Sequence, residues 1–189
     1  MFVYLVLDVE SLGFYGKGFA YGFVVVDEAG KRLEEGIETY SSWIERSASD
    51  LQPYETWTLD NVVPTLPSDT CDSLQVLRDR FWKVWMKWEQ QGAYLVADCP
   101  FPVETNFLTE CVKDDLIARQ SDAPYPLLDV APASNSGGNL QNAKLRATMY
   151  KAGMNPMESY SREADELPQH NPLCDARQSA RLFLEAMQK

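Results

Sequence analysis

The chain of 189 residues has one histidine, His170, and its four cysteines, Cys71, Cys99, Cys111 and Cys174, lie far apart with no Cys-x-x-Cys pair. Such a ligand set cannot furnish a usual zinc site, which excludes zinc hydrolase chemistry. Scattered thiols fit reduced, buried cysteines in a cytoplasmic protein. No stretch approaches the roughly 18 consecutive apolar residues of a membrane-spanning helix, so no membrane partner is expected. The apolar start, Met-Phe-Val-Tyr-Leu-Val-Leu, has no basic region before it and no cleavage site after it. It reads as a strand and not as a signal peptide. A Gly-x-Ser-x-Gly elbow is missing, against a Ser-His-Asp hydrolase, and no glycine-rich turn follows the first strand, against dinucleotide binding. Repeats, low-complexity tracts and linkers are missing too, so residues 1–189 read as a single domain. Basic residues are scarce: 17 Lys and Arg face 28 Asp and Glu, for a net charge of −11. Phosphate binding usually leaves a basic footprint, so this charge opposes a polynucleotide partner. The objection weakens if some carboxylates hold divalent cations, which then become the largest local charges.

What is present is a regular alternation of short apolar runs and amphipathic segments. Residues 2–7 form a near-continuous apolar run, as in a strand buried on both faces, and residues 19–26 are rich in aromatic and β-branched side chains. Residues 27–31 look like a hairpin turn, with residues 32–40 as the partner strand. Residues 41–67 carry three prolines and read as a helical turn plus loop. Ser68 or Asp69 is the expected N-cap of a helix reaching about Gln91, ended by Gly92. Residues 94–97 form a short strand delivering Asp98, and the run from Pro100 and Pro102 to about Arg119 has helical character. A strand over residues 127–130, a loop at 134–138 and a helix over about 140–152 follow. Asn171 as N-cap and Pro172 at the first helical position open the last helix. The expected class is α/β: a mixed sheet whose first three strands are antiparallel and whose later strands are parallel, flanked by helices. Sites in such sheets collect at the carboxyl ends of strands, where Asp8 and Asp98 fall.

Asp8 and Glu10 lie two residues apart on a strand and so point to the same side. Adjacent carboxylates repel, and a divalent cation removes that conflict; hard oxygen ligands suit Mg²⁺ or Mn²⁺. Asp98 also follows an apolar run, though a turn or capping aspartate has the same appearance. If Asn171 caps the last helix, Asp175 falls in its first turn and His170 on the loop before it. Singly, His170 reads as a surface histidine and Asp175 as a complement to the helix dipole. Together, at strand and helix ends, the five residues read as a site.

The three segments resemble the motifs of the DEDDh-type (DnaQ-like) 3′→5′ exonucleases, which have a ribonuclease H-like fold. Asp8-Val9-Glu10-Ser11-Leu12-Gly13 resembles the first motif, Asp-x-Glu-Thr-Thr-Gly, with Ser11 and Leu12 where threonines are usual. Asp98, followed by Pro102 and the pair Phe107-Leu108, resembles the second, and His170 through Asp175 matches the third, His-x₄-Asp. The resemblance implies a phosphodiester hydrolase that removes nucleotides from single-stranded 3′ ends of DNA or RNA. It implies two divalent cations about 4 Å apart, with Asp8 on both, Glu10 and Asp175 on the first and Asp98 on the second. His170 would take the proton of the attacking water, a task suited to imidazole chemistry near neutral pH. Backbone amides around Ser11, Leu12 and Gly13 would bind the terminal nucleotide, with Leu12 or Phe14 against a base.

Other features stay open at this stage. Leu74, Leu77, Phe81, Trp85 and Trp88 follow helical spacing, and Trp82 and Met86 widen the apolar surface. That helix is either deeply buried or part of a homodimer interface. Lys17, Lys144, Arg146 and Arg177 are candidate phosphate contacts, and Asp129 follows an apolar run as Asp98 does. The rival reading is a catalytically inactive ribonuclease H-like module that binds nucleic acid or a protein partner.

Overall fold

Alternation along the first strand sorts the core into two halves. In β1, Val3–Ser11, the side chains of Val3, Leu5, Leu7 and Val9 enter one hydrophobic cluster, while Tyr4 and Val6 enter another on the opposite face. β1 pairs antiparallel with β2 (Gly18–Asp27), which pairs antiparallel with β3 (Arg32–Thr39). The hairpin turn is fixed by Asp27, whose Oδ1 accepts the N–H groups of Ala29 and Lys31 at 2.9 and 3.0 Å. On its other side β1 pairs parallel with β4 (Ala93–Ala97), and β4 pairs parallel with β5 (Leu127–Asp129). The order β3-β2-β1-β4-β5 in one mixed sheet is the arrangement expected of a ribonuclease H-like α/β fold. The computed structural model describes residues 2–47, 51–130 and 162–188. The expected loop at 134–138, the helix over 140–152, Lys144 and Arg146 lie outside these residues.

Helix α3, reached after α1 (Ser42–Ser47), α2 (Pro53–Asn61) and a 3₁₀ turn (Val63–Thr65), spans Leu74–Glu89. With α4 (Val103–Asp114) it covers the face of Leu5 and Leu7, burying Leu77, Phe81, Trp82, Trp85 and Trp88 in the chain's own core. The aromatic face is therefore spent on the sheet. Its indoles are satisfied as burial requires: Trp85 Nε1–H donates to the Asp122 carbonyl at 2.7 Å. The other sheet face is covered by α6, Pro172–Met187, through Ala176, Ala180, Leu182 and Phe183.

Several expectations are corrected. Helix α3 starts at Leu74, capped by Ser73 Oγ accepting from Val76 N–H at 3.1 Å, and not at Ser68 or Asp69. Asp69 instead accepts the N–H groups of Ser41 and Ser42 at 2.7 and 3.0 Å, at the start of α1. Residues 41–67, expected to be largely irregular, contain two helices and a 3₁₀ turn. The helix expected to reach Arg119 breaks at Asp115, whose side chain caps a separate short helix, α5 (Leu116–Arg119). All four cysteines are free thiols, and no described helix is long and apolar enough to cross a membrane.

One close approach sets the position of α6. Gly22 is the β2 partner of Asp8, and a Cβ built there would lie 2.1 Å from Leu173 N and 2.2 Å from the Pro172 carbonyl carbon. Only a residue without a side chain lets the helix start rest on the strand at this height. Gly22→Ala is expected to lose about 3 kcal/mol through overpacking, a fall in Tm of roughly 6–12 °C for a chain of this size. A thermal melt followed by circular dichroism checks this, and a Tm unchanged from wild type would contradict it.

Candidate functional site

The even-numbered residues of β1 that pack under α6 near the strand's start, Tyr4 and Val6, are succeeded on the same face by Asp8 and Glu10. Helix α6 begins over this point and brings Asp175 in its first turn. Its start is fixed by Asn171, whose Oδ1 accepts the N–H groups of Leu173 and Cys174 at 3.1 and 3.3 Å. The result is a cluster in which one oxygen each from Asp8, Glu10 and Asp175 lies within 4.8 Å of the others. Burial pushes Asp8 and Glu10 well above the usual carboxylate range, and repulsion from Asp175 and from neighbouring acids adds to it. Asp175 is raised less, because Arg162 and His170 offset part of its burial.

The cluster has three of the five expected residues. Asp98 follows the last residue of β4, one step beyond the parallel pair Leu7 and Ala97, so it flanks Asp8 across the strands. It lies outside the three-carboxylate group but acts on it, raising Asp8 by repulsion. The next residue, Cys99, is in the left-handed region at φ 49° and donates its N–H to Asp129 Oδ1 at 3.1 Å. Asp129 thus supports the turn that carries Asp98.

His170 also stands beside the cluster. Its backbone is left-handed at φ 62°, a conformation that costs a non-glycine residue free energy unless its neighbours hold it. They do: its N–H donates to Asp175 Oδ2 at 3.1 Å, and its carbonyl accepts from Thr65 Oγ1 at 2.7 Å. Asn171 Nδ2 donates to the Thr65 carbonyl at 2.8 Å, tying the same loop to the 3₁₀ turn. The imidazole packs edge-on against Trp57 of α2, with ring centroids 5.0 Å apart.

The Ser11–Gly13 segment is tied within its own loop. Ser11 Oγ donates to the Gly13 carbonyl at 2.6 Å, and Leu12 N–H donates to the Lys17 carbonyl at 3.4 Å. Leu12 is 7% exposed and packs with Phe19, Ile44 and Val62, so its side chain faces the core and not a base. The exposed aromatics here are Phe14 and Tyr15. Of the basic candidates, Arg177 is engaged with Glu35, while Lys17 is exposed.

Two residues escaped the sequence reading. Glu104, in the first turn of α4, is 5% exposed, and its Oε1 accepts Val9 N–H at 3.3 Å where β4 no longer accompanies β1. Burial drives it up to about 8, with repulsion from Asp98 and Asp129 adding and the backbone N–H bonds opposing. Its only signal was an acid in an otherwise apolar-faced helix start, which the helix dipole explains equally well. Arg162 donates to Asp175 Oδ1 at 2.5 Å and to the Glu166 carbonyl at 2.9 Å. Nothing in its sequence neighbourhood marks it.

Three half-buried carboxylates with hard oxygen donors, two of them without a compensating cation among the described residues, suit a divalent metal such as Mg²⁺ or Mn²⁺. Compared with known protein families and with curated protein sequences, the chain matches none.

The raised carboxyls predict a pH dependence. Folded Asp8, Glu10 and Glu104 keep protons that the unfolded chain releases near pH 4, so stability without metal falls as pH rises from about 4 toward 8. The depressed Asp69, Asp165 and Glu166 act with the opposite sign, but only below the ordinary carboxylate pKa. Melting temperatures measured in EDTA should therefore decline from about pH 5 to 8, and the gain on adding Mn²⁺ should widen over that range. A metal-induced gain that is constant with pH would count against a proton-for-metal exchange.

Proposed function

We propose that the chain is a 3′→5′ exonuclease that hydrolyses phosphodiester bonds at the 3′ ends of single-stranded DNA or RNA with Mg²⁺ or Mn²⁺. The observation that carries this reading is the convergence of Asp8, Glu10 and Asp175 at one point, with Asp98 and His170 at its border. Asp8, Glu10 and Asp175 would hold one cation, and Asp98 with Asp8 a second. Bound divalent cations supply Lewis-acid polarisation of the scissile phosphate and of the attacking water. His170 takes the water proton on its imidazole, and Trp57 limits the directions in which that ring turns. Asp175 holds the His170 backbone N–H, so the base and the carboxylate cluster keep a common frame. Four cysteines that form no disulfide with one another support a cytoplasmic setting for this activity.

A second reading, an inactive module that binds nucleic acid or a protein, draws support from Arg162, whose ion pair already compensates Asp175 without metal. Asp8 and Glu10 weigh against it, because burial and repulsion raise them with no cation beside them among the described residues, and a structural module gains nothing from that conflict. Calorimetric titration with Mn²⁺ separates the two, since the module requires no two-site uptake.

Incubation of 5′-labelled RNA and DNA oligonucleotides with Mg²⁺ or Mn²⁺ should give ladders that shorten from the 3′ end. Intact substrate for both nucleic acids with both metals would reject the nuclease. His170→Ala should lower kcat at least about a hundredfold while Mn²⁺ uptake stays at wild-type affinity. Cleavage by that variant at the wild-type rate would remove His170 from the reaction.

A further inference from the structure

We propose that the cavity between the loop after β1 and helix α4 is a second binding site, a cleft for the phosphates of a single-stranded polynucleotide. It would grip the strand away from the end presented to the carboxylates, and in that respect it rests on the nuclease reading. The cavity measures about 320 Å³, and Lys17, Arg78 and Lys113 all line it. In a chain of net charge −11, three basic residues against one acid, Glu110, around one concave surface are a local reversal of sign. The net charge of the chain does not attract a polyanion, so a local excess of cations favours where it lands.

The three cations differ in readiness. Arg78 is held rigidly by Asp114, through Nε and Nη2 at 2.6 and 2.8 Å, which leaves its Nη1 hydrogens for another acceptor. Lys113 pairs with Glu110 at 3.0 Å, but both side chains are largely in water, so the pair exchanges for a phosphate at little cost. Lys17 is exposed, with no carboxylate partner among the described residues. Asn106 and Thr109 add neutral polar groups to the same wall.

Two aromatic side chains complete the case. Tyr15 lines the cavity and is 79% exposed, and its neighbour Phe14 is 64% exposed. Cations interleaved with exposed aromatics are the surface chemistry of single-strand binding. The cleft is also close to the carboxylates along the sheet. Gly18, on its floor, is the β2 partner of Ser11, the residue after Glu10. A Cβ at Gly18 would lie 2.9 Å from both Phe107 Cδ2 and Val9 Cγ1, so a side chain there would collide with these two residues.

The test measures binding without cleavage, on an Asp8→Asn chain in EDTA, by anisotropy of 5′-fluorescein oligothymidylate and oligouridylate of about twelve nucleotides. Salt is varied between about 20 and 200 mM NaCl. Adding Lys17→Glu and Lys113→Glu should weaken binding at least about tenfold at low salt and reduce the log–log salt slope by about 1.4, two phosphate contacts on a single strand. Phe14→Ser with Tyr15→Ser should weaken binding about fivefold or more with the slope unchanged, since stacking releases no counterions. A melting temperature equal to that of the Asp8→Asn parent certifies folding, and Lys17→Gln with Lys113→Gln replaces the charge-reversed pair if it fails to fold. An unaltered slope in the lysine variant, no binding at low salt, or equal displacement by polyglutamate, which would mark an acidic-peptide site, overturns the cleft. A chain that binds through these lysines but shortens no oligonucleotide keeps the cleft and loses the nuclease. One that shortens oligonucleotides with an unaltered slope in the variant does the reverse.

Discussion

Asp8, Glu10 and Asp175 are brought within 4.8 Å of one another where burial removes most of the water that would screen them. In that setting each negative charge raises the cost of ionising the next, so the cluster is held together by the rest of the fold and not by itself. β1 contributes two of the acids through strand alternation, and its pairing with β2 at Gly22 and Ala20 fixes their backbone positions. The third acid arrives on a helix whose first turn sits on bare backbone at Gly22 and whose start is capped by Asn171. On the other side of β1, Glu104 reaches the Val9 N–H just past the end of the β1–β4 ladder. The two hydrophobic clusters, one under α3 and α4 and the other under α6, supply the favourable burial that offsets this electrostatic cost.

The same constraint bears on the net charge of −11. A polyanionic substrate cannot be drawn to this protein by its overall field. Under the proposed activity the attraction has to be local and supplied twice, by cations at the carboxylates and by Lys17, Arg78 and Lys113 in the cleft beyond the β1–β2 loop. A strand spanning both would be held at its reacting end and along its backbone, while the acidic remainder of the surface disfavours unproductive contacts.

Legibility in the sequence followed the range of the physics involved. The hairpin, the order of strands and the Asn171-Pro172 helix start depend on neighbours within a few residues, and they were readable as such. Alternation placed Asp8 and Glu10 on one face without any knowledge of what lay above it. Asp69 misled because a good capping residue says only that it caps, and here it serves α1 from 27 or 28 residues away. The indole-rich face of α3 could not be assigned to a sheet or to a second chain until the partner surface was seen. Glu104 and Arg162 matter only through residues distant in sequence or across a loop, and their local patterns were indistinguishable from ordinary surface charge. Gly22 is the clearest instance: within its strand it looks like a weakness, and its meaning lies entirely in the helix that lands on it.

Arg162 bears on how the cluster is to be read. A guanidinium beside a buried carboxylate is the usual way a protein pays for burying charge, and Asp175 receives one at 2.5 Å together with the His170 N–H. If the cluster were structural, the same economy would be expected for its other members. Among the described residues it is not extended to them: the bonds of Arg162 run to Asp175 and to the Glu166 carbonyl, and burial and like charge raise Asp8 and Glu10. Within that part of the chain the acid that orients the His170 loop has a cation, and the two acids on the strand have none. Each oxygen of Asp175 can accept a second interaction, since a carboxylate offers about four lone-pair sites. A divalent cation seated against Asp8 and Glu10 can therefore share Asp175 with Arg162 without displacing it. Under the proposed function, the pair Asp8 and Glu10 on β1, to which the described residues bring no cation, is where a divalent metal would complete the site.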